Sequence, residues 1–94
     1  MVIQVVKFKT SLSDVEVRQL FEKRAPQYRT IPGLIQKYYV RDTQTGEYGG
    51  VYLWNSEESL RAFQESDLAR SIPIVYHVTG QSHTELLESI LALR

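Results

Sequence analysis

The chain contains no cysteine, which excludes disulfides, thiolate nucleophiles and cysteine-ligated metals. Neither sign of charge is in excess: 11 Lys and Arg face 11 Asp and Glu. A nucleic-acid-binding surface shows as a basic excess or stripe, so no nucleic-acid partner is expected. No apolar run approaches the ~20 residues that a membrane helix needs, and no membrane partner is expected either. The N-terminal MVIQVVKFKT lacks the apolar core and small-residue cleavage site of a secretory signal. A secreted domain this small would often need disulfide staples, so the expected location is cytoplasmic. Phosphate-binding loops, nucleophile elbows and dinucleotide fingerprints are absent, as are linkers, internal repeats and low-complexity tracts. Residues 1–94 are read as a single domain, and no cofactor is expected. The two histidines, His77 and His83, do not make a metal constellation, so no metal is expected.

What the sequence does have is aromatic rings in one place. Of ten aromatic residues (Tyr 6, Phe 3, Trp 1), Tyr38, Tyr39, Tyr48, Tyr52 and Trp54 fall in the stretch from Pro32 to Trp54. Such a concentration either fills a packed interface or lines a pocket for a flat organic molecule.

The order of elements follows from pattern. Val2 to Thr10 is β-branched and apolar on both faces, a strand covered on both sides. Ser13-Asp14-Val15-Glu16 is a capping box. Val17, Leu20, Phe21, Arg24, Ala25 and Tyr28 then recur at helical spacing, with a kink or stop expected near Ala25 because of Pro26. Leu34–Arg41 and Tyr48–Trp54 read as strands joined by a bulged turn with Gly46 in the left-handed conformation. Asn55 and Ser56 offer caps for a second helix containing Leu60 and Phe63. Pro73–Thr79 reads as a fourth strand, and Ser82-His83-Thr84-Glu85 as the cap of a C-terminal helix. The fold expected is α+β: a ferredoxin-like βαββαβ unit with a four-stranded antiparallel sheet and a C-terminal helix. The helices cover one sheet face. Val2, Val6, Phe8 and the hairpin aromatics are expected on the other, which is too apolar to stay exposed and calls for a second copy.

The segment from Pro32 to Phe63 resembles the YdhR-type putative monooxygenases of the dimeric α/β-barrel superfamily. The resemblance rests on Pro32, Gly33, Lys37, Glu47, Gly49, Gly50, Val51, Tyr52, Leu53 and Trp54. It implies a homodimer with two sheets packed face to face into a barrel. It also implies kinship with cofactor-independent monooxygenases that oxidise aromatic polyketides. Fold alone does not fix function.

Pairing Thr43 with Glu47 places Val40 opposite Gly50, Tyr38 opposite Tyr52 and Gln36 opposite Trp54. Gln36, Tyr38, Gly50, Tyr52 and Trp54 are then a candidate wall for a planar aromatic substrate, the alternative being a packed barrel interior. Gly49-Gly50 inside a strand marks a bulge or a close approach, and a cross-strand ring over Gly50 is the plainer reading of it. Lys37, Gln36 and Tyr52 are candidate oxyanion donors, and His77 or a tyrosine is a candidate general base. The plainer readings are a snorkelling or inter-subunit salt-bridged Lys37, with Glu47 and Glu58 as candidate partners, and a hydrogen-bonded core or pocket-rim histidine. Three functions fit: an oxygenase acting on an aromatic or polyketide-like small molecule, a non-catalytic small-molecule-binding or stress-associated dimer, and a purely structural dimer.

Overall fold

The computed structural model describes all residues, 1–94. Strand β1 (Val2–Thr10) leads to helix α1 (Asp14–Arg29), then to the hairpin of β2 (Leu34–Arg41) and β3 (Tyr48–Trp54). Helices α2 (Glu57–Gln64) and α3 (Asp67–Val75) follow, and β4 (Val78–Glu88) closes the unit. The four strands form one sheet in the order β2-β3-β1-β4, and every neighbouring pair is antiparallel. This is the expected βαββαβ plan with one additional helix.

The start of α1 is set locally. Ser13 Oγ accepts the Glu16 amide at 3.2 Å, and Glu16 Oε1 accepts the Ser13 amide at 3.1 Å. Of the two outcomes expected at Pro26, a kink or a stop, the stop does not occur: the helix continues to Arg29. Pro26 and Glu22, four residues back, are both exposed, so the carbonyl that loses its partner can be hydrated.

The last third of the chain departs most from the sequence reading. Asp67–Val75, expected to enter a strand at Pro73, is a helix capped by Ser66. Its Leu68, Ala69, Ile72 and Val75 pack against the two core clusters, so a helical stripe outweighs the β-branched composition. The expected C-terminal helix does not form. Its capping residues lie in β4, where His83 pairs with Lys7, Thr84 with Val6 and Leu87 with Ile3. A free edge on β1 offers a full ladder of backbone hydrogen bonds, and a short isolated helix has nothing to match it.

The hairpin register also differs by one residue. Tyr39 pairs with Gly50, Tyr38 with Val51, Lys37 with Tyr52 and Gln36 with Leu53. Asp42 is the cause. Its Oδ1 accepts the amides of Gln44 (2.8 Å) and Thr45 (3.2 Å), and its backbone amide donates to the Glu47 carbonyl at 2.7 Å. The loop therefore closes on the Asp42–Glu47 pair as an Asx turn, with Gly46 left-handed at φ 77° as expected. Because side chains alternate, a one-residue slip sends each to the opposite face.

The helices cover the face carrying Val2, Gln4, Val6 and Phe8 of β1 and Tyr48, Gly50, Tyr52 and Trp54 of β3. Val2, Val6, Phe8 and the β3 aromatics are thus core, and the expectation that they line the uncovered face is corrected. That face instead carries Ile3 and Val5, Val51 and Leu53, Tyr38 and Val40, and Leu87, by the same registers. In the core, Trp54 is fully buried, and its Nε1 donates to the buried Gln4 Oε1 at 2.9 Å.

Candidate functional site

The register brings Lys37 and Tyr39 under α1, which supplies Tyr28 from its last turns and Arg24 one turn earlier. The Lys37 Nζ stands 3.5 Å from the Tyr28 ring centroid, 4.1 Å from that of Tyr39 and 4.6 Å from that of Tyr52. Three aromatic faces enclose one amine. Neither Glu47 nor Glu58 pairs with it, and no ion pair reaches Lys37.

An unpaired buried cation is costly, so the amine yields its proton readily. Burial, followed by the nearby Arg24 charge, pushes the Lys37 pKa down to about 7. The negative ring faces return part of the lost hydration when the amine is charged. Lys37 is thereby poised to change protonation near neutrality. The phenols move the other way. Burial pushes Tyr39 up to about 12 and raises Tyr28 and Tyr52, so all three remain neutral hydrogen-bond donors.

Gly50 makes the arrangement fit. A Cβ there would lie 3.0 Å from Lys37 Cε and 3.1 Å from Tyr52 Cε1. The cross-strand side chain nearest to Gly50 is therefore the Lys37 stem rather than the expected ring, and the adjoining Tyr52 ring comes from Gly50's own strand.

Two spaces meet at this cage. An open cleft of about 330 Å³ lies between α1 and the edge strand β2, with Ala25, Tyr28, Leu34, Lys37 and Tyr39 in its lining. Its volume falls at the lower end of small-molecule sites. A cavity of about 20 Å³ lies deeper, against Gly49, Gly50 and Tyr52. Tyr28, Lys37 and Tyr39 line both. A second groove, of about 420 Å³ between α2 and the Ile31–Pro32 loop, contains none of the groups with shifted protonation.

The candidate residues from the sequence separate. Lys37, Gly50 and Tyr52 come together. Gln36 lines the cleft on the solvent side, its Oε1 accepting the Lys37 amide at 2.9 Å. Tyr38 is 56% exposed on the face away from the helices. Trp54 is stacked behind Tyr52, with interplanar angle 5°, and lines neither space. His77 is exposed at the α3–β4 junction with φ 47°, beside Glu16 and Lys23 rather than the cage. His83 lies on β4 opposite Lys7, not in a helix. Sequence reasoning missed Tyr28, Tyr39 and Arg24. The only signals were the i, i+4 spacing of Arg24 and Tyr28 on one helix stripe and the i, i+2 spacing of Lys37 and Tyr39.

A ferredoxin-like α+β protein with an amine-and-phenol cleft and no cluster of metal-ligating side chains is the class defined so far. Residues 3–86 match the family model described as putative mono-oxygenase ydhR, and the chain belongs to that family. No curated protein matches the sequence. Among solved structures, it is similar to SnoaB, a cofactor-independent oxygenase from Streptomyces nogalater. The identity is 16% and the TM-score 0.77, over 98% of this chain and 95% of that one. It is similar to a putative antibiotic biosynthesis monooxygenase from Deinococcus radiodurans, with 19% identity and TM-score 0.76, over 100% and 97% of the chains. It is also similar to a point mutant of MhuD with two manganese protoporphyrin IX bound per active site. There the identity is 18% and the TM-score 0.78, over 100% and 99%. At these identities the likeness shows the fold.

A porphyrin does not fit the cleft's chemistry in this chain. Neither histidine lies there, and the raised Tyr28 and Tyr39 pKa values oppose the phenolate that would ligate iron.

Proposed function

We propose that the protein is a cofactor-independent monooxygenase acting on an aromatic or polyketide-like small molecule held in the cleft. The observation that carries this reading is the amine of Lys37, free of any carboxylate and enclosed by Tyr28, Tyr39 and Tyr52 at the cleft wall. The membership of a mono-oxygenase family supports it.

In this reading the neutral Lys37 takes a proton from an acidic C–H of the substrate. The ammonium so formed is stabilised by the three ring faces and sits beside the new carbanion, whose charge it offsets. The Tyr28 and Tyr39 hydroxyls, neutral throughout, donate to the developing oxyanion. The substrate supplies the electrons: a methylene and dioxygen become a carbonyl and water. His77, away from the cage, has no part in the step.

The expected result is dioxygen consumption on addition of anthrone- or quinol-type substrates. A base must be neutral to act, so the rate rises with pH through about 7 and levels above it. Tight binding across a panel with no oxygen uptake would instead support the non-catalytic small-molecule-binding reading.

The open sheet face leads to the second part of the proposal, a homodimer. Ile3, Val5, Val51, Leu53, Val40 and Leu87 form a continuous apolar surface on it. Lys7, at its end, is neutralised by Asp42 at 2.8 Å. The zero formal net charge places little repulsion between copies. Sedimentation at micromolar concentration is expected to give twice the 10.9 kDa chain mass. A single well-folded chain at that concentration would refute the face-to-face pairing.

A further inference from the structure

Three of the four lysines sit where a protonated amine is at ease. Lys7 is paired with Asp42 at 2.8 Å, and Lys9 and Lys23 are exposed. Lys37 is the exception: its amine is enclosed by the rings of Tyr28, Tyr39 and Tyr52, and its side chain lines the open cleft between α1 and β2. We propose that Lys37 is a covalent binding site for carbonyl compounds, condensing with an aldehyde or ketone held in the cleft to form a Schiff base. The site rests on the cleft and the amine, and it stands whether or not the protein is an oxygenase.

Three observations support the assignment. Neither the cleft nor the small cavity behind it has an Asp or Glu in its lining, so nothing there holds the amine as an ion pair. The charged groups on that side are Arg24 and Arg29 of α1, and the other titratable neighbours are Tyr28, Tyr39, Tyr52 and Tyr76. Burial and the Arg24 charge both disfavour the ammonium. A desolvated lysine beside another cation is how proteins obtain a nucleophilic amine near neutral pH. Next, the cleft suits a small ring: about 330 Å³, with Ala25, Tyr28, Leu34, Ile35 and Tyr39 as its hydrophobic lining. Finally, the Tyr39 hydroxyl is buried and has no hydrogen-bond partner. Schiff-base formation needs a proton delivered to a departing oxygen, and this phenol is uncommitted.

The chemistry balances. The neutral amine adds to the carbonyl carbon, and one N–H proton moves to the oxygen, giving a carbinolamine. The C–O bond then breaks. The hydroxyl leaves as water with a proton from Tyr39, which recovers one from the nitrogen. An amine and a carbonyl become an imine and water, with no oxidant or reductant. A proton taken up from solvent by the imine places a cation where three ring faces already favour one.

The test uses benzaldehyde as the carbonyl probe and cyanoborohydride to reduce the imine to a stable amine, followed by peptide mapping. An ordinary solvated lysine is neutral in fewer than about one molecule in 10³ at pH 7. Labelling of Lys37 is therefore expected to outpace that of Lys9 and Lys23 at least tenfold at pH 7, and the excess is expected to shrink towards pH 10. Labelling spread evenly over the lysines at pH 7 would overturn the proposal. Ala25→Trp fills the cleft from α1 without altering the amine, and Ile35→Trp does so from an exposed position if the first variant folds poorly. Either is expected to slow labelling of Lys37 severalfold while Lys9 and Lys23 react as before. An unchanged Lys37 rate in a folded cleft variant would overturn the cleft as the binding site. Neither arm depends on oxygen uptake, so failure of the oxygenase reading and failure of this one are separately visible.

Discussion

Replacing Lys37 with methionine is expected to lower turnover by roughly 10²–10⁴-fold, the usual contribution of a general base, and to remove the rise in rate near pH 7. The same substitution is expected to stabilise the fold, increasingly so towards lower pH. In the unfolded chain the amine titrates near its ordinary 10.5, whereas in the native protein it titrates at about 7. Between those values the unfolded state binds a proton that the native state does not, so wild-type stability rises with pH across the window. Below about pH 7 both states are protonated, and the penalty for burying the charge is present in full. A difference of this size is worth on the order of 5 kcal/mol, and the cation–π faces reduce it. Methionine keeps the length and apolar stem without the charge. Urea melts of wild type and Lys37→Met between pH 6 and 10 should therefore converge as pH rises. Parallel curves would mean that Lys37 keeps an ordinary pKa, and the base assignment would fall with it.

Trp54→Ala should unfold much of the population under ordinary conditions. Trp54 is fully buried and packs on Tyr52 and Phe63, and a Trp→Ala core change costs about 3–5 kcal/mol. The buried Gln4 amide would also lose its partner at 2.9 Å, adding about 1–3 kcal/mol. Against a total of about 5–15 kcal/mol for a domain, this is most of the available stability. Trp54→Phe separates the two terms by keeping most of the volume while removing the hydrogen bond. Circular-dichroism melts should place it between wild type and alanine. An alanine variant with near-native stability would show that this end of the core is not the one that holds the sheet to α2.

The first two-thirds of the chain was legible because its signals are local. The Ser13–Glu16 box, the α1 stripe, the left-handed Gly46 and the Ser56 cap each act within a few residues, and each formed. The candidate site was legible in its members but not in its grouping. Lys37, Gly50 and Tyr52 were on the sequence's candidate wall and donor set, yet Gln36, Tyr38 and Trp54 were grouped with them through a register wrong by one. The Asp42 side chain, which lengthens the turn, decided that register and exchanged the faces of Tyr38 and Tyr39. Tyr28 and Arg24 could not be joined to the site without knowing that α1 crosses β2.

Composition and local spacing alone determined that this chain forms an α+β unit with a ferredoxin-like element order, without cysteine chemistry and without an electrostatic footprint for nucleic acid. Tertiary structure alone decided that Ser82–Glu85 joins a strand rather than capping a helix. It also decided that Val2, Val6 and Phe8 lie under the helices and that Lys37 loses its water to three tyrosine rings. The reason is the same in each case. Capping and turn preferences act between near neighbours, whereas strand pairing and the desolvation of an amine depend on groups tens of residues apart, whose positions no local pattern encodes.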